Sequence, residues 1–214
     1  MEAFKTVLNK IDSLEIKQIY CLGDIVGYGA NPKKCIELIK ERNILCVKGN
    51  HDYAVVSGDT KRFNPLAADV ISRTIGMLDE KEKKYLDSLP EKIVLKLQDY
   101  KIYLVHGSPI NAIWEYVYED SDLEYLVNYT KSNSLVMGHT HIPFIKRIGD
   151  RFVVNAGAVG QPRDNNPKAS FALFDQTKSE FEIVRLDYDF KTAAEKMLKA
   201  GFPQFLAQRL FLGV

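Results

Sequence analysis

The sequence Gly49-Asn50-His51-Asp52 follows the short apolar run Ile44-Leu45-Cys46-Val47 after a single lysine, Lys48, and has no apolar side chain. An apolar run of this length predicts a buried β-strand, and the polar residues after it predict a loop at the end of that strand. Carboxamide, imidazole and carboxylate groups can bind a metal or a substrate. The stretch therefore predicts a strand that delivers functional side chains into a loop.

Three further stretches repeat this pattern of an apolar strand followed by ligand-type residues. They are Ile19–Leu22 before Gly23-Asp24, Ile102–Val105 before His106-Gly107, and Leu135–Met137 before Gly138-His139-Thr140-His141. All 4 histidines of the chain lie in these loops. Because the carboxyl ends of strands in an open α/β sheet meet at one edge, we expect one site built from several strand ends.

Composition is that of an ordinary soluble domain and excludes several kinds of partner. The chain is 46% hydrophobic and 27% charged, which predicts a single domain over residues 1–214. Lys and Arg total 29 against 28 Asp and Glu, so net charge gives no case for binding nucleic acid or an anionic membrane. The 3 cysteines and the lack of an apolar run of spanning length predict a cytoplasmic protein with buried thiols at Cys21, Cys35 and Cys46. The oligomeric state does not follow from the sequence.

The order of predicted elements favours an α/β fold. Apolar spacing predicts a helix over residues 2–11, a strand over 16–22 and a helix from Asn31-Pro32 to about Arg42. Two helices over residues 64–78 and 79–86 are expected to form a helical cap around 64–88. A helix over residues 122–131 has Ser121 and Glu124 as its expected capping box.

Short strands dominate the second half of the sequence. They are predicted at residues 93–97, 102–105, 135–137, 144–148, 151–155, 170–174 and 181–186, mostly antiparallel, and helical segments at 190–199 and 203–212 follow. Helices and strands in this order predict a sheet covered by helices.

The donor groups at the strand ends indicate the type of ligand. Carboxylate, carboxamide and imidazole together suit a divalent first-row metal better than calcium or a structural zinc. The spacing His139-x-His141 predicts both rings on one side of an extended segment, whereas adjacent Asn50 and His51 should point differently. Taken singly, each residue could also belong to a turn or be a satisfied polar group. Their shared position at four strand ends favours a site.

Read together, these four stretches resemble the signature of the calcineurin-like metallophosphoesterase superfamily. The flanking sequences Gly23–Gly29, Asn155–Asp164 and Ala200–Pro203 are similar to those of small prokaryotic phosphodiesterase-type members. The resemblance covers essentially the whole chain. It implies a four-layer α-β-β-α sandwich, with two mixed sheets face to face between helices, and a two-metal site that hydrolyses phosphate esters.

The same resemblance implies a role for each site residue. Asp24 would bridge two metals, with Asn50, His106 and His139 completing the second metal site and His141 serving the first. His51 would stabilise or protonate the leaving oxygen, with Asp52 orienting it. Arg163 could place a positive charge near the phosphate, or lie at the surface. The metals could be manganese, iron, zinc or nickel.

One part of the family pattern is not present in this sequence. The pattern begins with a buried strand ending in Asp-x-His, just before the first helix, whereas Met1–Phe4 resembles the text after that motif. We therefore expect the sheet to lack its first central strand and the first metal to keep only Asp24 and His141.

Two functions of different class follow from this reading. The first is a hydrolase of phosphodiester or nucleotide-type bonds in small molecules, and a protein Ser/Thr phosphatase is a less favoured variant. The second is a phosphate-binding relative that keeps one metal and has little or no activity.

Overall fold

Helices and strands alternate along the first half of the computed structural model, which describes residues 1–214. Its elements are α1 (Glu2–Ser13), β1 (Tyr20–Cys21), α2 (Pro32–Glu41), β2 (Leu45–Cys46), α3 (Asn50–Ser57), α4 (Pro65–Met77) and α5 (Glu80–Asp87). The second half contains β3 (Lys92–Leu97), β4 (Tyr100–Val105), α6 (Leu123–Thr130), β5 (Ser134–Met137), β6 (Phe144–Ile148), β7 (Arg151–Asn155), β8 (Ala169–Asp175) and β9 (Glu180–Leu186). It ends with α7 (Phe190–Lys199), α8 (Gln204–Gln208) and a turn of 3-10 helix at Arg209–Phe211.

Side-chain caps fix the starts of the central helices. The Oδ1 atom of Asn64 accepts from the backbone N–H of Ala67 at 2.9 Å and starts α4. Asp79 and Glu82 form a capping box at the start of α5. The predicted cap of α6 is wrong, because Asp122 accepts from Tyr125 at 3.0 Å. Ser121 instead accepts from the backbone N–H of Tyr118 in the preceding turn.

The larger sheet has five strands in the order β3-β4-β5-β7-β6. Its centre is parallel, since β5 pairs in parallel with both β4 and β7. The expected antiparallel pairing holds for β3-β4, β6-β7 and β8-β9. The parallel strands β4 and β5 bring their carboxyl ends, and so the loops at 106 and 138–141, to one edge.

Four layers stack in the order expected for an α-β-β-α sandwich. Helix α6 packs on the outer face of the five-stranded sheet through Leu126 and Val127. The inner face packs through Leu104 and Val136 against Val47 and against side chains of β8 and β9. Helices α2 to α5 cover the pair β1-β2, and α1 covers β8. The predicted fold class is confirmed.

The second strand layer consists of two separate ladders. Strand β1 pairs only with β2, and β8 pairs only with β9. A cavity of about 980 Å3 is lined by residues of both β1 and β8 and is mostly apolar. No strand from residues 1–214 lies between them, which agrees with the expectation of a sheet without a central strand. This also explains why β1 covers Tyr20–Cys21 and not the predicted 16–22.

The three cysteines are free, but only Cys46 is fully buried, so the expectation of buried thiols is wrong in part for Cys21 and Cys35. Both line the cavity that also borders β1 and β8, so they are partly accessible. None of the helices is long and apolar enough to cross a bilayer.

Candidate metal centre

Three side chains from three other segments converge on the Nε2 atom of His106. This atom lies 2.9 Å from Nδ1 of His139, 3.1 Å from Oδ1 of Asn50 and 3.5 Å from Oδ2 of Asp24. The ligand atoms of Asp24, His106 and His139 all lie within 4.8 Å of one another. The structure thus brings together four of the residues singled out from the sequence.

A backbone contact fixes the orientation of the His106 ring. Its Nδ1 lies 2.6 Å from the carbonyl oxygen of Leu22. A carbonyl oxygen can only accept, so Nδ1 carries the proton and Nε2 presents a lone pair to the other side chains. Imidazole nitrogen, amide oxygen and carboxylate oxygen at this spacing are a donor set for a divalent cation. The residues present therefore fit a metal.

Burial keeps the histidines of the site neutral. It lowers the pKa of His51, His106 and His139 to about 4. Burial, together with the nearby charge of Arg163, also holds the pKa of His141 well below its usual value. Because a metal binds the neutral imidazole, burial places the rings of His106, His139 and His141 in the form that coordination requires.

Several site residues have a left-handed backbone. The φ angles are 54° for Asp24, 65° for His139 and 63° for His141. Such a conformation is uncommon for residues other than glycine and persists where the surroundings fix it. The left-handed backbone at His139 and His141 contradicts the expectation that these two residues lie on an extended segment. The chain turns at both residues, so only His139 joins the cluster, and Nδ1 of His141 donates to the carbonyl of Gln161 at 2.7 Å.

The stretch Gly49-Asn50-His51-Asp52 is not a loop, as the sequence predicted, but the start of helix α3. Gly49 is the N-cap, and Asp52 closes the first turn by accepting from its backbone N–H at 2.9 Å. The N–H of His51 in this turn donates to Oδ1 of Asp24 at 2.9 Å. The positive end of α3 therefore stabilises the Asp24 carboxylate.

Glycine at position 49 allows these two segments to touch. A Cβ atom there would lie 2.1 Å from Oδ1 of Asp24 and 2.3 Å from its backbone nitrogen. No side chain can occupy that space, so only glycine permits the approach.

None of the hydrogen bonds of Asp52 goes to the ring of His51, which contradicts the expected orienting role. Its Oδ2 accepts from the N–H groups of Asp24, at 2.8 Å, and Gly49, while Oδ1 accepts from Val26 at 3.3 Å. Both oxygens of the carboxylate thus accept from backbone donors of the Asp24 segment and of Gly49. Burial, followed by the charge of Asp24, raises the pKa of Asp52 to about 8. Through these hydrogen bonds the Asp52 carboxylate links the backbone of the Asp24 segment to the start of α3.

His51 lies beside the cluster in an aromatic setting. Its ring centroid is 4.8 Å from that of Tyr28 and 5.1 Å from that of Phe63. Its buried Nδ1 atom has no hydrogen-bond partner. A Cβ atom on Gly27 would lie 2.7 Å from that nitrogen. His51 is held by packing and keeps its hydrogen-bonding capacity for another group.

Arg163 points into the same region and does not lie on an open surface. Its guanidinium lies 5.5 Å from the ring centroid of Tyr28, and Nη2 donates to Gln161 at 2.9 Å. Its Nε atom is buried without a hydrogen-bond partner. A partly buried guanidinium whose side-chain hydrogen bond goes to a neutral amide can still pair with an anion in the pocket.

Two further residues support the cluster, although neither was among the predicted site residues. Asn155, fully buried at the end of β7, donates through Nδ2 to the carbonyl of Gly138 at 2.6 Å and to Oγ1 of Thr140 at 3.0 Å. Tyr116 stacks on His139 with ring centroids 3.9 Å apart. Asn155 does follow the pattern of a polar residue ending an apolar strand, which is the signal that could have identified it.

A pocket of about 380 Å3 opens over these residues. Its lining includes Asp24, Asn50, His51, His139, His141 and Arg163. Asp52 and His106 are buried outside this lining. The open side chains surround a space large enough for a small molecule.

Comparison with known proteins identifies the family of this chain. The sequence profile of the calcineurin-like phosphoesterase superfamily domain matches residues 1–179. An uncharacterized protein of Methanocaldococcus jannaschii is 40% identical over 230 residues, covering 100% of this chain and 93% of the relative. Phosphodiesterase YfcE of Escherichia coli is 24% identical over 185 residues, or 82% of this chain and 81% of YfcE.

Among solved structures, the metallophosphoesterase of Sphaerobacter thermophilus is 32% identical and superposes with a TM-score of 0.85. The alignment covers 99% of this chain and 94% of that protein. The match of profile, sequence and fold over most of the chain establishes the family. The protein belongs to the calcineurin-like phosphoesterase superfamily and is a metallophosphoesterase, a hydrolase of phosphoric ester bonds.

Proposed function

We propose that this protein hydrolyses phosphodiester or nucleotide-type phosphate bonds in small molecules. The observation that carries the proposal is the convergence of Asp24, Asn50 and His139 on Nε2 of His106. The sequence similarity to a relative named as a phosphodiesterase supports a diester substrate. The pocket over the cluster supports a small molecule.

We assign the residues of the cluster to metal binding. Asp24, Asn50, His106 and His139 would hold one cation, and Asp24 and His141 would contribute to a second. Bound cations would supply Lewis acidity and an activated water for attack on phosphorus. The donor set accepts manganese, iron, zinc or nickel, and we choose manganese for the tests.

His51 is the residue that we assign to the leaving oxygen. It lines the pocket, and the rings of Tyr28 and Phe63 pack against it and hold it in place. A neutral imidazole has one N–H group, so it can donate a hydrogen bond to that oxygen at neutral pH. The negative charge of a bound phosphoester raises the imidazole pKa and favours proton transfer as the ester bond breaks.

Leaving-group dependence tests this assignment. In His51→Ala, turnover of a diester with an alkyl leaving group should fall at least ~100-fold, the usual scale for loss of a general acid. A 4-nitrophenyl leaving group needs no proton, so its turnover should fall less. Metal content serves as the control, since the variant keeps every proposed ligand. Equal losses with both leaving groups would show that His51 acts on phosphate charge and donates no proton.

A second candidate is a phosphate-binding protein that holds one metal. The observation in its favour is that the compact group of ligands contains Asp24, His106 and His139 but not His141. Metal stoichiometry separates the two candidates. Two bound cations per chain with diester turnover support the hydrolase, and one cation without turnover supports the binding protein.

A further inference from the structure

The three histidines assigned to metal binding are oriented in different ways. Nδ1 of His106 lies 2.6 Å from the carbonyl oxygen of Leu22, and Nδ1 of His141 donates to the carbonyl of Gln161 at 2.7 Å. A hydrogen bond of this kind fixes the plane of a ligand ring and the nitrogen that faces the metal. His139 has no such bond, because its Nδ1 faces His106 and its Nε2 is buried without a hydrogen-bond partner. Another contact must set the plane of this ring.

The side chain of His139 does not select this plane by itself. Its residue lies in the turn after β5 with a left-handed backbone, at a φ of 65°. The last torsion of a histidine side chain is broad, so the imidazole can rotate about its Cβ–Cγ bond at little cost. Such a rotation would move Nδ1 away from the Nε2 atom of His106, which lies 2.9 Å from it. The cluster keeps its geometry only if a neighbour restrains the ring.

An aromatic stack restrains the His139 ring in place of a hydrogen bond. The ring centroid of Tyr116 lies 3.9 Å from that of His139, with 23° between the two planes. Burial lowers the pKa of His139, and the backbone of Trp114 opposes that shift without reaching hydrogen-bond geometry at Nε2. A stacked ring contacts the face of the imidazole and leaves both nitrogens free at its edge. The stack therefore fixes the plane without using a lone pair that a cation needs.

The segment that carries Tyr116 is itself anchored on both sides. Ile113 and Val117 are buried, whereas Trp114 and Tyr116 line the pocket. Trp114 packs edge-on against Tyr53 of helix α3, with ring centroids 5.8 Å apart. These anchors leave Tyr116 little freedom to move away from the ring on which it stacks.

We propose that Tyr116 is a positioning residue of the metal site, whose ring fixes the imidazole plane of His139 and holds Nδ1 toward Asp24 and His106. The inference rests on the proposed assignment of these residues to metal binding and adds a residue that is not itself a ligand. The flat ring performs this role, and the hydroxyl group does not. Phenylalanine at position 116 should therefore replace tyrosine without loss, and a non-aromatic side chain should not.

The test compares manganese affinity, measured by competition with a chelator, across replacements of Tyr116. Tyr116→Phe keeps the ring and should bind manganese as the parent does. Tyr116→Leu and Tyr116→Met remove the flat face, so their affinity should fall at least ~10-fold, the lower end of the scale for loss of a residue that orients a ligand. Tyr129→Leu, exposed on α6 and outside the pocket lining, is the matched control and should bind as the parent does.

Melting of the metal-free variants separates positioning from a general structural role. Tyr116 is 50% exposed, so its replacement removes little buried surface. Metal-free Tyr116→Leu and Tyr116→Met should therefore melt at the parental temperature. The rise in Tm that manganese produces should be smaller in both variants, because the stabilisation by a bound cation follows its affinity.

Three results would overturn the positioning role. Parental affinity in both Tyr116→Leu and Tyr116→Met would show that the ring does not orient His139. An equal loss in Tyr116→Phe would assign the effect to the hydroxyl group. A lower Tm of both metal-free non-aromatic variants would assign their weaker binding to a damaged fold. Absence of manganese binding by the parent protein is a different result, since it would overturn the proposed function itself.

Discussion

Asp24 shows how one side chain acquires its surroundings from a distant segment. Its backbone N–H donates to Asp52 and its Oδ1 accepts from the N–H of His51, across 28 and 27 residues of sequence. The positions of Asp24, Asn50, His106 and His139 at strand ends were sufficient to predict that they meet. The partner of Asp52 was not predictable, because the choice between an imidazole and backbone amides depends on how two segments pack.

The proposed roles of the site residues predict which variants lose bound metal. Asp24→Ala and His106→Ala each delete a proposed ligand, so purified protein should lose bound manganese, iron or zinc. His51→Ala deletes none and should keep the parental content. Elemental analysis of the three variants measures this. If His51→Ala loses metal as fully as Asp24→Ala, the distinction between ligand and leaving-group histidine is wrong.

At the level of elements, apolar periodicity predicted the helices well and the strand ends less well. Helix α1 and strands β6 and β7 lie where the sequence placed them. Helix α3 was missed because its first turn consists of Asn, His and Asp, which are typical of turns as well as helix starts. The shortened β1 has a tertiary cause, since a strand without a second neighbour forms few ladder bonds.

The segment that follows β5 depends on Asn155 at the end of β7. Replacing its amide with a carboxylate in Asn155→Asp removes both donors to the 138–141 segment. We expect metal affinity to fall about 10- to 100-fold, the scale for loss of a residue that orients a ligand. Competition with a chelator measures the affinity. Asn128→Asp, at the surface on α6, is the matched control, and an equal fall in that variant would contradict a specific role for Asn155.

For the molecule as a whole, the neutral buried histidines couple folding to pH. The pKa values of His51, His106 and His139 are about 4 in the folded protein against 6.5 for a free imidazole. Between these values the unfolded chain binds more protons than the folded chain, so stability falls as pH falls. Asp52 acts in the opposite sense, since its pKa of about 8 exceeds the free value of 3.8. Three imidazoles outweigh one carboxyl below pH 6.5.

The metal-free protein should therefore melt at a lower temperature at pH 5 than at pH 7. With 1.36 kcal/mol per pKa unit, the net effect corresponds to a fall in Tm of roughly 5 °C or more. Calorimetry on protein stripped of metal measures it. A His51→Gln variant should show a shallower dependence, because one titrating ring is gone. A Tm that is equal or higher at pH 5 would show that the carboxyl dominates.

Turnover of bis(4-nitrophenyl) phosphate by stripped and reloaded protein tests most directly whether the cluster around His106 gives the protein the proposed metal-dependent phosphodiesterase activity. We predict no turnover above background after chelation, and recovery in proportion to manganese added. Asp24→Asn, given the same manganese, should remain at least ~100-fold slower, because its neutral amide cannot bridge two cations as a carboxylate does. Turnover by the stripped protein at the loaded rate, or full recovery of Asp24→Asn, would contradict the account.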